Sequence, residues 1–261
     1  GPYSHREVGP CIAFQNPSVA WGPVVRRGPG RDGISCTGDV GALFSVYSRI
    51  NTGPALNVYQ NLENAWRQYR GGQFVLRTTG GPVQFQASYT RSQTRGTMPT
   101  GLHVNAGRSE GATTNPNRLI NGDSNTAFDP TNEVKVLSAW NPPQLGGWVL
   151  GGVYRYLTGG AWGRTFVVTG LAPGPQSIRA EPRDTNRLPA INQLDLHVEK
   201  SLPLGNRTLG VFADVLNVWN QGVPDSEWGG DAMITASGPN LGVPLLWRAP
   251  RQVRVGLQFT F

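Results

Sequence analysis

Residues 251–261 alternate without a break. Val253, Val255, Leu257, Phe259 and Phe261 share one parity, and Gln252, Arg254, Gly256, Gln258 and Thr260 the other. Successive side chains of an extended chain point to opposite faces, so this segment is a strand with one apolar and one polar face. The pattern recurs twice. Val83, Phe85, Ala87 and Tyr89 oppose Gln84, Gln86, Ser88 and Thr90, while Leu194, Leu196 and Val198 oppose Asp195, His197 and Glu199. The last polar stripe is the most restrictive, because an unpartnered polar group in a dry core costs about 2–7 kcal/mol. A stripe of Asp195, His197 and Glu199 therefore belongs on a wet, lumen-like face, with the apolar residues on a convex, lipid-like one.

Strand-like segments fall near 19–27, 41–50, 69–78, 82–93, 132–142, 147–168, 190–201, 207–219 and 251–261. The connections between the later ones alternate in length. Tight turns are read at 79–81, 142–146 and 203–206, and long polar connections at 94–131, 169–189 and 221–250. Membrane β-barrels have this asymmetry, with short turns at one end and long loops at the other, whereas a β-sandwich has no reason for it. The expectation is an all-β fold in which an antiparallel meander sheet forms part of a transmembrane β-barrel. Trp140, Trp148, Trp162 and Trp219 lie near strand ends, with Tyr154 and Tyr156 on the face of Trp148. These six read as an aromatic girdle at headgroup level, against the alternative of ordinary core aromatics.

Composition agrees with this class. Charged residues are 15%, against roughly 25% in soluble domains. The 35 Gly and 21 Pro disfavour helices, and no apolar run of about 18 residues exists to make a membrane helix. The formal charge is +7, but the basic residues are dispersed, with no cluster beyond Arg26-Arg27. No nucleic-acid partner is expected from that distribution. No signal-peptide pattern opens the chain, and the expectation is a piece of a longer protein. Cys11 and Cys36 are either a disulfide in an oxidising compartment or two separate thiols.

The segment Arg254-Val-Gly256-Leu-Gln-Phe259-Thr-Phe261 resembles the C-terminal assembly signal of outer-membrane barrels, with Arg254, Gly256, Phe259 and Phe261 at its marked positions. Longer stretches resemble the barrel of TonB-dependent receptors, in particular the Oar-like branch with a carboxypeptidase-regulatory-like domain. They are Tyr69-Arg-Gly-Gly through Ser92, Gly151-Gly-Val-Tyr-Arg-Tyr-Leu-Thr-Gly159, Leu188-Pro-Ala-Ile-Asn-Gln-Leu-Asp195 through Lys200, and Phe212-Ala-Asp-Val-Leu-Asn-Val-Trp-Asn220. The resemblance covers most of the chain from about residue 40 onward. It implies a barrel of about 22 strands with a plugged lumen, sited in the bacterial outer membrane, inserted by the barrel assembly machinery and energised through the TonB complex. Residues 1–261 would then be the C-terminal strands, with the N-terminal plug absent.

Catalytic patterns are lacking. His5, His103 and His197 are far apart, no metalloprotease or nucleophile-elbow motif occurs, and Gly28–Gly33 lacks the Lys-Ser/Thr of a phosphate loop. No cofactor, metal site or enzymatic activity is expected. Asp225, Glu227 and Asp231 share one loop without calcium-loop spacing, and Asn115, Asn117, Asn121, Asp123 and Asn125 suit either polar ligands or turns. The expected function is uptake of an extracellular nutrient whose identity the residues do not specify. The alternatives are a self-contained small outer-membrane barrel or adhesin, and a secreted carbohydrate-binding β-sandwich.

Overall fold

Two-residue periodicity becomes register in the three-dimensional structure, a computed structural model that describes residues 21–27, 43–50, 66–97, 116–126, 129–172, 174–225 and 232–261. The strands are β1 (Trp21–Arg27), β2 (Leu43–Arg49), β3 (Arg67–Gly80), β4 (Val83–Gly96), β5 (Ser124–Asn125), β6 (Asn132–Trp140), β7 (Trp148–Leu157), β8 (Ala161–Trp162), β9 (Thr165–Val168), β10 (Gln176–Arg179), β11 (Asn186–Arg187), β12 (Ile191–Leu204), β13 (Arg207–Leu216) and β14 (Gln252–Thr260). The main sheet runs β14-β13-β12-β7-β6-β4-β3, with short β5 added to β4. Every neighbouring pair is antiparallel and each long strand pairs with the next long strand in the chain. This is a meander without Greek-key crossings.

The turns set the register. Gly81-Pro82 closes β3–β4 and Gly205-Asn206 closes β12–β13 in two residues each, with Gly81 and Gly205 at φ 71° and 63°. Residues 141–147 join β6 to β7 through a one-turn 3-10 helix, Pro143–Leu145. All three short connections lie at one end of the sheet. The connections 97–131, 158–190 and 217–251 lie at the other.

The register lines up the two faces across the whole sheet. The apolar row through the middle reads Val253, Val215, Leu196, Gly152, Ser138 and Phe85, each the partner of the next. The polar row beside it reads Arg254, Asp214, His197, Gly151, Ala139 and Gln84. One cavity of about 510 Å³ is lined from Arg77 on β3 through to Arg254 on β14, mainly by the polar face. The sheet therefore curls toward its polar side and turns its apolar side outward. Within it, β3 and β14 each pair on one side only, so the sheet is not closed among the described residues.

No side chain in the apolar rows of the seven long strands is buried; Phe74, Val255 and Leu257 are 67%, 75% and 73% exposed. The buried hydrophobic residues gather instead beyond the long-loop end. Val46 packs with Phe166, Val168, Leu171 and Ile178, and Leu188 packs with Ala232 and Met233. Leu157 and Ile191, at the loop ends of β7 and β12, are buried there too.

Two expectations need correction. The segments near 19–27 and 41–50 do form strands, but they pair with each other as a separate hairpin and not with the main sheet. Val46 and Tyr47 are adjacent yet both buried, because Val46 meets the loop core while the Tyr47 backbone is held by Asn117, whose Oδ1 accepts from Tyr47 N–H (2.7 Å) and whose Nδ2 donates to Tyr47 O (2.8 Å). The continuous strand read over 147–168 ends at Leu157. Gly159 then passes so close to the Leu188 carbonyl that no Cβ fits, and the chain leaves the sheet to form β8 and β9.

Candidate functional site

The concave face carries the cavity, and the β12–β13 hairpin builds its most polar wall. Counting outward in step from Leu204 and Arg207 brings His197 opposite Asp214, and β14 brings Arg254 opposite the same Asp214. His197 Nδ1 lies 2.6 Å from Asp214 Oδ1. Arg254 donates from Nε (2.8 Å) and lies with Nη2 2.7 Å from the other carboxylate oxygen. His197 Nε2 lies 3.5 Å from Glu199 Oε2. Asp214 is buried beneath these partners, while the Arg254 side chain remains 69% exposed toward the cavity.

Two glycines make room for this wall. A methyl group at Gly256 would run into the Phe212 ring, and one at Gly151 would press on His197 at 3.2 Å. Aromatic rings laid over cross-strand glycines cover the bare backbone and pin register. Arg254 sits over the same Phe212 ring, 6.0 Å from its centroid, and His197 lies 6.1 Å from it. Gly256, expected from sequence to belong to an assembly signal, has a local structural role here: it makes room for the Phe212 ring.

The predicted stripe is on one face but splits in two. His197 and Glu199 join Asp214 and Arg254. Asp195 instead accepts from Gln193 Nε2 (3.1 and 2.9 Å) and from the Asn217 N–H (2.8 Å), fixing the exit of β13. Asn217 and Asn220 both adopt positive φ, 52° and 51°, as turn residues there. Asp214 and Phe212 were missed in the sequence reading, although the two-residue turn Gly205-Asn206 is the signal that would have found them.

Both ring nitrogens of His197 face carboxylates, Nδ1 that of Asp214 and Nε2 that of Glu199. The cavity offers guanidinium and amide groups from Arg254, Arg77, Gln84 and Gln86 over a floor of Leu137, Ala139, Gly151 and Val153. Such a surface holds polar and charged groups by hydrogen bonding. Among the described residues, no three His, Cys, Asp or Glu side chains are arranged to hold a metal ion.

The aromatic residues sort by height on the outer face. Trp140 and Trp148 are exposed at the short-turn end, and Phe259 and Phe261 lie 5.9 Å apart, ring to ring, at the same end. Tyr154 and Tyr156 occupy the same face nearer the long loops, where Trp219 meets Tyr154 edge-on at 5.9 Å. Trp162 is the exception. It belongs to β8, paired with β11, and packs on the Leu188–Ala232–Met233 core, so it is not on the outer face of the sheet. Cys11, Cys36, Glu227 and Asp231 lie outside the described residues.

The described parts of the long loops are built structures. Asp129 is fully buried; its Oδ1 accepts from Thr94 N–H (2.8 Å) and its Oδ2 from Arg187 (3.3 Å), which also donates to the carbonyls of Asp129 and Gly159. Asn121 donates to Arg179 O, Asn125 N–H to Asp184, and Thr165 bridges to Ala236. The three long connections therefore brace one another, and Asp225, read as a loop carboxylate, is paired with Arg248 at 3.2 Å. Comparison with protein-family models, with curated proteins and with solved structures gives no match to this chain.

Proposed function

We propose that this chain supplies membrane-spanning strands and external loops to an outer-membrane transport receptor that takes up a nutrient, with energy delivered through TonB. One observation carries the reading: a seven-strand sheet exposes an unburied apolar face on its convex side and a hydrogen-bonding face on its concave side. In water the convex face would be a large exposed apolar surface of the kind that drives association. In a bilayer it is the solvated face, and the concave side becomes a polar lumen. Strands of 9 and 10 residues match the roughly 9–11 needed to cross with tilt, and the 14-residue β12 is longer than that span. The braced parts of the long loops, at the end of the sheet opposite the short turns, supply the surface that meets a ligand first. Outer-membrane lipid, the barrel assembly machinery and the TonB complex are the partners of this reading.

The test uses the full-length protein in cells, with its native cysteines changed to serine and single cysteines placed at Asn206, in a short turn, or Asn240, in the third long loop. A membrane-impermeant maleimide should label the Asn240→Cys protein on intact cells and the Asn206→Cys protein only after the outer membrane is opened. Nutrient accumulation should stop when the proton gradient is collapsed. Equal labelling of both positions on intact cells would discard the topology, and uptake indifferent to the gradient would discard TonB energisation.

A further inference from the structure

The charges of the main sheet are segregated by face. Every carboxylate in the seven long strands, Glu133, Asp195, Glu199 and Asp214, lies in the concave rows. The convex rows hold no carboxylate, and their charged residues are Arg70, Arg91, Arg95, Lys200 and Arg207. These cations avoid the middle of the face. Arg70, Arg91 and Arg95 stand at the long-loop rim, and Lys200 and Arg207 at the short-turn rim. From Lys200 to the level of Arg91 is about ten residues, or roughly 33 Å along the strands. A barrel tilt of about 40° reduces that to roughly 25 Å, the height of a membrane barrel's apolar band.

At the short-turn rim both cations lie against aromatic rings. Lys200 Nζ is 5.2 Å from the Trp148 ring centroid and donates to the carbonyls of Leu145 and Gly146, which fixes it at the edge of the 141–147 turn. The Arg207 guanidinium carbon is 5.9 Å from the Phe259 ring centroid, and the group has no hydrogen-bond acceptor among the described residues. A flat guanidinium held over a ring, its fork of N–H donors unsatisfied, suits the two free oxygens of a phosphodiester. The rings beneath belong at headgroup depth.

We propose that Lys200 with Trp148 and Arg207 with Phe259 form a binding rim for the phosphate of anionic glycerophospholipids at the short-turn end of the sheet. The proposal rests on the membrane-spanning reading and adds to it a selective lipid. The aromatic neighbours and the lack of any carboxylate in these convex rows leave phosphate as the complementary charge. Near an anionic surface each cation is worth about five-fold in affinity, so the pair is worth about thirty-fold.

The experiment equilibrates the full-length detergent-solubilised protein with mixed phosphatidylcholine and phosphatidylglycerol, then measures retained lipid by native mass spectrometry. Wild type should favour phosphatidylglycerol by about thirty-fold. The Lys200→Gln/Arg207→Gln protein should lose that preference while keeping its heat-sensitive gel mobility, the sign of a folded barrel. Lys200→Arg/Arg207→Lys should retain most of it, and Arg67→Gln, on the concave face, should retain it fully. A doubly neutralised protein that still prefers phosphatidylglycerol would overturn the proposal, as would its displacement by inorganic phosphate. Equal retention of both lipids by wild type would sink the lipid rim alone, whereas retention of neither would sink the membrane reading with it.

Discussion

Replacing Leu196 by Arg places a guanidinium halfway between the two rims of the convex face. Leu196 stands four residues from Asn192, the partner of Tyr156, and four from Lys200, the partner of Trp148. That is roughly 13 Å of strand either way, farther than an arginine side chain reaches to find water. Its neighbours across the ladders are Gly152 and Val215, and neither supplies an acceptor side chain. If lipid covers this face, the substitution costs about 2–4 kcal/mol, a 30- to 1000-fold loss in the folding equilibrium. If water covers it, Leu196, already 41% exposed, behaves as a surface position with a cost of about 0.5 kcal/mol or less. Leu202→Arg, close to the short-turn rim on the same face, should cost about 0–1 kcal/mol in lipid. Leu196→Ala separates the lost packing from the added charge. The assay is urea unfolding of the full-length protein in vesicles, followed by gel mobility and tryptophan fluorescence. A cost at Leu196 no greater than at Leu202 would refute the depth argument and with it the lipid-facing assignment.

Phe261→Ala in the full-length protein should lower the surface-exposed fraction more than Trp219→Ala does, read by surface labelling against total protein; equal fractions would reduce Phe261 to one more rim aromatic. Arg187→Ala should strand the buried Asp129 carboxylate and destabilise the loop assembly by about 3–5 kcal/mol, seen as earlier proteolysis of residues 158–190 with the strands still protected. Asn117→Ala removes both bonds to the Tyr47 backbone and should cost about 2 kcal/mol, measured as faster amide exchange in β2 with no change in β12.

The legible and illegible parts of this chain divide along one physical line. Strand β14 could be read residue by residue because a strand with one polar and one apolar face writes its period directly into the sequence. The concave stripe was legible for the same reason, and so was the alternation of short and long connections. Asp214 needed one further step, the two-residue turn at Gly205-Asn206, because a hairpin turn determines every partner above it. Arg254 joins through a 35-residue connection, from Leu216 to Gln252, and no local pattern announces that pairing. The loop cores are harder still. Val46 is buried by Phe166 and Ile178, more than a hundred residues away, so polar-looking connections hide their own packing. Trp162 was misplaced by treating 147–168 as continuous, although Gly159-Gly160 and Gly163 mark where the strand breaks.

The strand directions carry an arithmetic consequence. Six antiparallel steps separate β3 from β14, so the two outermost strands point the same way. Bringing their free edges together would create a parallel seam, with slanted bonds unlike those of the rest of the ladder. A fully antiparallel cylinder that incorporates this sheet must insert an odd number of strands between those edges, and the total becomes even. The first and last of the inserted strands must both run from the short-turn end toward the long loops. Each must present apolar side chains outward in phase with Val255 and Leu257 on one side and with Phe74 and Leu76 on the other. A β-hairpin, having two strands, cannot fill the gap, whatever its sequence.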